Sequence, residues 1–141
     1  METITEIFEI EVGADGDMKD ITPLIDKAVK KHKIKNGVAV VFSVGSTGAI
    51  STIEYEPNLI KDMKTALERI APSSAEYEHH KTWGDDNGRS HVRATIIGPS
   101  ITVPIVNGKL TLGTWQQIVV INLDTRKRVR KVVLQIIGEC Y

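Results

Sequence analysis

The sequence predicts an α+β fold, a mainly antiparallel β-sheet with two helices packed on it, and three observations point there. Two amphipathic helical stretches fall in the first half of the 141 residues. A succession of short, β-branched runs fills the second half, and an Asn-Gly pair between two of them is the strongest short hairpin signal. The length is that of one domain, and no linker rich in Pro, Gly or Ser divides it, so 1–141 reads as a single unit.

Residues 3–12 alternate loosely and predict a strand that ends in a turn from Gly13 to Gly16. The first helix follows. Thr22 is its expected cap, Pro23 suits the first helical position, and Leu24, Ile25, Ala28 and Val29 recur on one face. Asn36-Gly37 is the expected left-handed stop. The continuous apolar run Val38 to Phe42 predicts a central strand covered on both faces. A further strand is expected over 49–53, then a second helix marked by Leu59, Ile60, Met63, Leu67 and Ile70 and closed by Pro72. From 73 to 90 the periodicity disappears while Tyr77, His79, His80, Trp83, Asp85, Asp86, Asn87 and Arg89 accumulate, which reads as a functional loop. The remainder reads as strands over 91–98, 100–106, 109–113, 115–123 and 128–138, with turns at Asn107-Gly108 and Asp124-Thr125.

With 41% hydrophobic and 5% aromatic residues, the core is one of Ile, Val and Leu. Lys and Arg number 18 against 18 Asp and Glu, so no global field draws the chain to nucleic acid. The basic residues around 27–35 and 126–131 read as solvated faces or subunit contacts. No apolar run approaches the roughly 20 residues of a membrane span, and the acidic, alternating start lacks the features of a signal peptide. A lone Cys140 forms no internal disulfide, and the cytoplasm is the expected compartment.

Four groups of residues could carry chemistry. His79, His80, Asp86, Asn87 and His91 lie close in sequence, with His91 expected at the entry to a strand; imidazole with carboxylate suits a divalent metal or acid–base work near neutral pH. Gly45-Ser46-Thr47-Gly48 follows a buried strand and could offer hydroxyls and free N–H groups to a phosphate or carboxylate, or could be only a tight turn. Glu54 and Glu56 alternate about Tyr55 and could bind metal or divide acid and base roles, although Glu56 also suits a helix N-terminus; Glu54 stands nearer the Ser-Thr turn. Trp115 with Gln116 suits a flat heterocycle, or serves as a core plug or oligomer contact. His32, inside a lysine-rich helix, is expected to be structural.

Read together, GSTGAISTIEYEP at 45–57, YEHH with W-x-D-D-N-G-x-S-H at 77–91, and GPSITVPI-x-x-G-x-L-x-LGTWQQI at 98–118 resemble the YjbQ family, a group of small proteins to which a secondary thiamine-phosphate synthase activity has been ascribed. The resemblance implies an α+β fold assembling as a homotrimer, with polar clefts near subunit contacts for metals or anions. The family's Tyr-x-His falls on Tyr77 and His79, its Asp-Asn-to-His segment on Asp86, Asn87 and His91, and its Gly-Thr-Trp-Gln on Gly113 to Gln116. His79 thereby outranks His80. Two departures stand out: Gly45 replaces a His that many members carry, and Arg89 replaces a His of a second subset, in which Asp86 also replaces a Gly.

The activity implied is a transfer that joins a pyrimidine methyl pyrophosphate to a thiazole phosphate and expels pyrophosphate. A divalent metal (Zn, Mn, Ni or Mg) on His79, His91 and Asp86, helped by Glu54, would hold the pyrophosphate. Ser46, Thr47 and Arg89 would contact phosphate oxygens, Asn87 and Gln116 would bind substrate, and Trp115 would stack on a ring. Two alternatives stand beside it: a non-catalytic oligomeric protein that binds a small anionic metabolite or a metal, and a scaffold whose polar loop only forms subunit contacts. Neither nucleic acid nor membrane is an expected partner.

Overall fold

The computed structural model describes residues 1–141. In chain order it contains β1 (Glu2–Val12), β2 (Asp17–Asp20), α1 (Thr22–Lys31), β3 (Ile34–Val44), β4 (Gly48–Ile53), α2 (Pro57–Ile70), α3 (Glu78–Trp83), α4 (Gly88–Ile97), β5 (Ser100–Val106), β6 (Lys109–Leu110), β7 (Gln117–Asn122) and β8 (Arg128–Cys140). The strands form two sheets, one in the order β1-β8-β3-β5-β6 and one in the order β2-β7-β4, and every pairing is antiparallel. The α+β class with an antiparallel sheet is as the sequence predicts. The structure has two sheets where the sequence predicts one, and four helices where it predicts two.

The larger core lies between the five-stranded sheet and a layer made of α1, β4 and β7. Ala39, Val41, Val132, Leu134 and Ile136 point into it from the sheet, and Ile25, Val29, Ile50, Ile118 and Val120 meet them. The smaller core lies on the other side of the three-stranded sheet, where Ala49, Val119 and Ile121 pack against Leu67 of α2 and Ala94 of α4. The strand covered on both faces is therefore β7, buried from Ile118 to Asn122. β3 is central in its sheet as expected, but Phe42 and Val44 are exposed, because nothing in the chain packs over that outer face.

Several local expectations change for identifiable reasons. Thr22 is the first helical residue rather than the cap, and its hydroxyl accepts the Ile118 N–H instead, tying α1 to β7. α1 stops at His32 and Lys33, whose φ of 54° is left-handed, while Gly37 lies inside β3, where a Cβ would strike the backbone of Ile137 and Gly138 on β8. Asn107-Gly108 makes the hairpin turn between β5 and β6 with both residues at positive φ, as a two-residue turn requires. Residues 91–98, expected as a strand, belong mostly to α4. Three of their four β-branched members, Val92, Thr95 and Ile96, face outward, while Ser90, Arg93, Ala94 and Ile97 form a helical stripe toward the small core. No helix is long and apolar enough to cross a membrane.

Candidate functional site

Val44 ends β3, and the chain turns through Gly45 at φ +118° before β4 begins at Gly48. This loop faces α4 across a cleft of about 310 Å³ lined by Gly45, Ser46, Gly48, His91, Thr95 and Pro99. His91 occupies the first turns of α4, so a helix holds it rather than the expected strand. Ser46 is exposed, with its hydroxyl unused within the chain.

Beneath the glycines lies a buried guanidinium. Arg130 is 6% exposed, and its Nη2 donates to Thr47 Oγ1 at 2.7 Å and to Asn122 Oδ1 at 2.5 Å, while Nε donates to the same Asn122 oxygen at 3.2 Å. Thr47 donates in turn to Asp124 Oδ2 at 3.2 Å, and Arg128 pairs with that carboxylate at 2.9 Å. Burial pushes the Asp124 carboxyl up, but the Thr125 N–H, Arg128 and the Thr47 hydroxyl outweigh it and hold the group below its usual range. Burial pushes the Arg130 guanidinium down from its usual value, Asp124 opposing the shift. Arg128 thus pairs with the carboxylate directly while Arg130 is linked to it only through Thr47, and taking an ion from water costs on the order of several kcal/mol. Thr47 is spent on this network and supports Arg130 instead of meeting a ligand.

Beside the cleft stands the histidine cluster. The His91 and His79 rings are 4.6 Å apart between centroids, and His79 Nδ1 lies 3.0 Å from Asp85 Oδ1, a close approach without hydrogen-bond alignment. Asn87, with its amide turned to donate, reaches both Asp85 oxygens at 3.2 Å. His80 serves the fold, since its Nε2 accepts the Gly88 N–H at 3.2 Å, at the first turn of α4, and its ring packs on Tyr77. His32 pairs with Glu6 at 3.0 Å, away from the site, as a structural histidine should.

The other candidates are dispersed. Arg89 is engaged with Asp15 at 2.9 Å and with the Asp86 carbonyl, so its charge is answered outside the cleft. Glu56 accepts the Asn58 and Leu59 N–H groups and caps α2, and Glu54 is exposed without a partner. Asp86 is exposed and outside the cleft lining. Trp115 is 73% exposed, and Gln116 bonds Gly113 and Thr52 on a separate patch. For a metal, the chain gathers no group of three His, Cys, Asp or Glu side chains at ligand spacing. His79 and His91 come together without Asp86, so a divalent ion there would need a donor from outside the chain.

Arg130 and Asn122 stand outside the groups of candidate residues that the sequence offers, and Asp85 is foreseen only as one member of the functional loop. A signal for Arg130 existed: on an alternating strand it shares parity with the inward-facing Val132, Leu134 and Ile136.

Comparison with known proteins gives a consistent result. A family model described as UPF0047 protein YjbQ-like matches residues 6–139. A UPF0047 protein of Methanothermobacter thermautotrophicus is 36% identical over 139 residues, 99% of this chain and 95% of the relative. Another from Archaeoglobus fulgidus is 33% identical, covering 82% of this chain and 87% of the relative. A crystal structure of a YbjQ-like protein of unknown function from Sulfolobus solfataricus matches with a TM-score of 0.86 at 32% identity, over 98% of this chain and 100% of that one. A hypothetical protein from Aeropyrum pernix K1 matches with a TM-score of 0.89 at 31% identity, over 99% and 100%.

Proposed function

The chain belongs to the UPF0047 family of YjbQ-like proteins, and from that premise we propose that its cleft takes the anionic group of a small phosphorylated metabolite, with His91 as the proton-handling group. The observation that carries this reading is that His91 lines the same cleft as Ser46 while its ring stands against His79. An imidazole can donate a hydrogen bond to a phosphate oxygen and pass a proton to a departing one near neutral pH. The reaction within this reading is a thiamine-phosphate synthase-like transfer. The thiazole nitrogen forms a C–N bond at the pyrimidine methylene as its C–O bond breaks, and pyrophosphate leaves with the electron pair. The protein's share is to hold that pyrophosphate and balance its charge. A divalent ion would assist by the same electrostatic means, with His79 and His91 as its donors from this chain.

Incubating the protein with the two phosphorylated substrates tests the transfer. Product formation that falls at least about 100-fold in His91→Ala, the range one general acid–base group contributes, is the expected result. A second reading, a non-catalytic binder, is favoured by the cleft lining, in which His91 is the sole titratable side chain. Binding of pyrophosphate without any product would select it.

The same reading includes a homotrimer. Across β1, β8 and β3 the outer face presents Ile7, Val133 and Phe42 in one row, and Ile137 and Val38 in another, with Ile7 58% and Phe42 41% exposed. These exposed apolar rows support a contact between copies there, and a second copy covering them would pass close to Gly45, next in sequence to the exposed Val44. A cytoplasmic setting, where phosphorylated metabolites are formed, agrees with the free, exposed Cys140.

A further inference from the structure

Gly45 leaves a space that its backbone does not fill. Outside the adjacent residues, the only atom within 4 Å of where its Cβ would stand is Arg130 Nη1, at 3.2 Å. No side chain stands between Nη1 and the open side of the Gly45 α-carbon, so a ligand oxygen resting against that carbon can come within hydrogen-bonding distance of Nη1. Nη1 is also the one guanidinium nitrogen that makes no hydrogen bond within the chain, since Nε and Nη2 are taken by Asn122 and Thr47. On the other side of the loop, a Cβ at Gly48 would meet Ser43 Oγ at 2.6 Å and Arg130 Cζ at 3.3 Å. Ser43 is fully buried, and its hydroxyl has no partner.

The Arg130 side chain is more than nine-tenths buried and two of its three guanidinium nitrogens are fixed, while the third keeps some exposed surface and is open for a partner to meet it. Asp124 does not, because it is bonded to Arg128, Thr125 and Thr47. Resting on the reading of the cleft given above, we infer that Arg130 Nη1 is the primary charged contact of a tetrahedral oxyanion, a phosphoryl group, seated beside Gly45. The class follows from where the donors lie. Arg130 of β8 lies behind Gly45 and Gly48, which line the cleft together with His91 from α4 and Ser46 from the β3–β4 loop. A phosphoryl group can direct separate oxygens at three elements at once, whereas a planar carboxylate has two to give. Thr47 and Asn122 are positioning residues that hold the guanidinium plane.

The test follows the Arg130 side-chain Nε–Hε signal by NMR in the native protein during titration with inorganic phosphate, methyl phosphate and acetate. The expected result is a saturable shift of that signal with both phosphates, at least tenfold tighter than acetate. Methyl phosphate binding tighter than inorganic phosphate would mark a metabolite site, and the reverse a site for the free ion. Arg130→Lys, which keeps the charge but cannot span Asn122, Thr47 and the ligand together, should weaken phosphate at least tenfold. Phosphate binding with the Arg130 signal unmoved, or acetate binding as tightly as phosphate, overturns the inference. If phosphate binding is lost in His91→Ala but unchanged in a folded Arg130→Lys, this inference falls and the cleft reading stands. No phosphate binding to the native chain sinks both, and the native titration decides even if Arg130→Lys does not fold.

Discussion

Glu68 sits where α2 ends and α4 passes, and it is the most perturbed carboxylate in the chain. The Ser73 hydroxyl at 2.6 Å and the Ser73 N–H at 2.8 Å, aided by Arg93 at 2.9 Å, hold its carboxyl down to about 2. A carboxyl lowered on folding adds stability that is complete above its unfolded value, near 4.5, and is lost as pH falls through about 2. Thermal midpoints measured between pH 6 and pH 2 should therefore fall more steeply for the native chain than for Glu68→Gln; parallel curves would contradict the assignment. Single residues were also where sequence reasoning reached least far. Arg89 and Arg130 look alike as letters, yet one is paired with Asp15 and the other is buried beneath Gly45. That difference depends on a contact 74 residues away for Arg89 and 83 residues away for Arg130, which local pattern does not encode.

At the scale of elements, the placement of His91 depends on α4, and α4 depends on Gly88. A Cβ there would stand 2.5 Å from Tyr77 Cβ and 3.0 Å from His80 Nε2, so the first turn of the helix fits only with glycine. Gly88→Ala should lower unfolding stability by about 1–3 kcal/mol, as overpacking does, and should displace His91; urea denaturation reads the first effect and weakened phosphate binding the second. A stability change within about 0.5 kcal/mol would show that α3 and α4 can shift freely. The amphipathic helices α1 and α2 and the β5–β6 hairpin were legible because their signals are local. α4 was not, because its outward residues are β-branched and its inward stripe is interrupted by Arg93, whose guanidinium is buried against the Ala71 carbonyl. The doubly covered strand was misassigned between β3 and β7, since both are continuous apolar runs and only the layer order separates them.

At the scale of the whole molecule, the fold class was readable from the order of its patterns, while the division into two sheets was not, because it requires β2 and β4 to pair on either side of β7 across the chain. The outer face of the larger sheet bears on assembly. Light scattering coupled to size exclusion should give the mass of three chains for the native protein and a smaller one for Phe42→Glu with Ile137→Glu, both exposed on that face. A single-chain mass for the native protein would rule the trimer out. The cleft itself is tested most directly by calorimetric titration of pyrophosphate into the native protein and into His91→Ala. One saturable site per chain is expected in the native protein, with at least about a tenfold loss of affinity in the variant, or about 1.4 kcal/mol. Equal affinities in the two, or no binding to the native protein, would contradict an anion site built on His91.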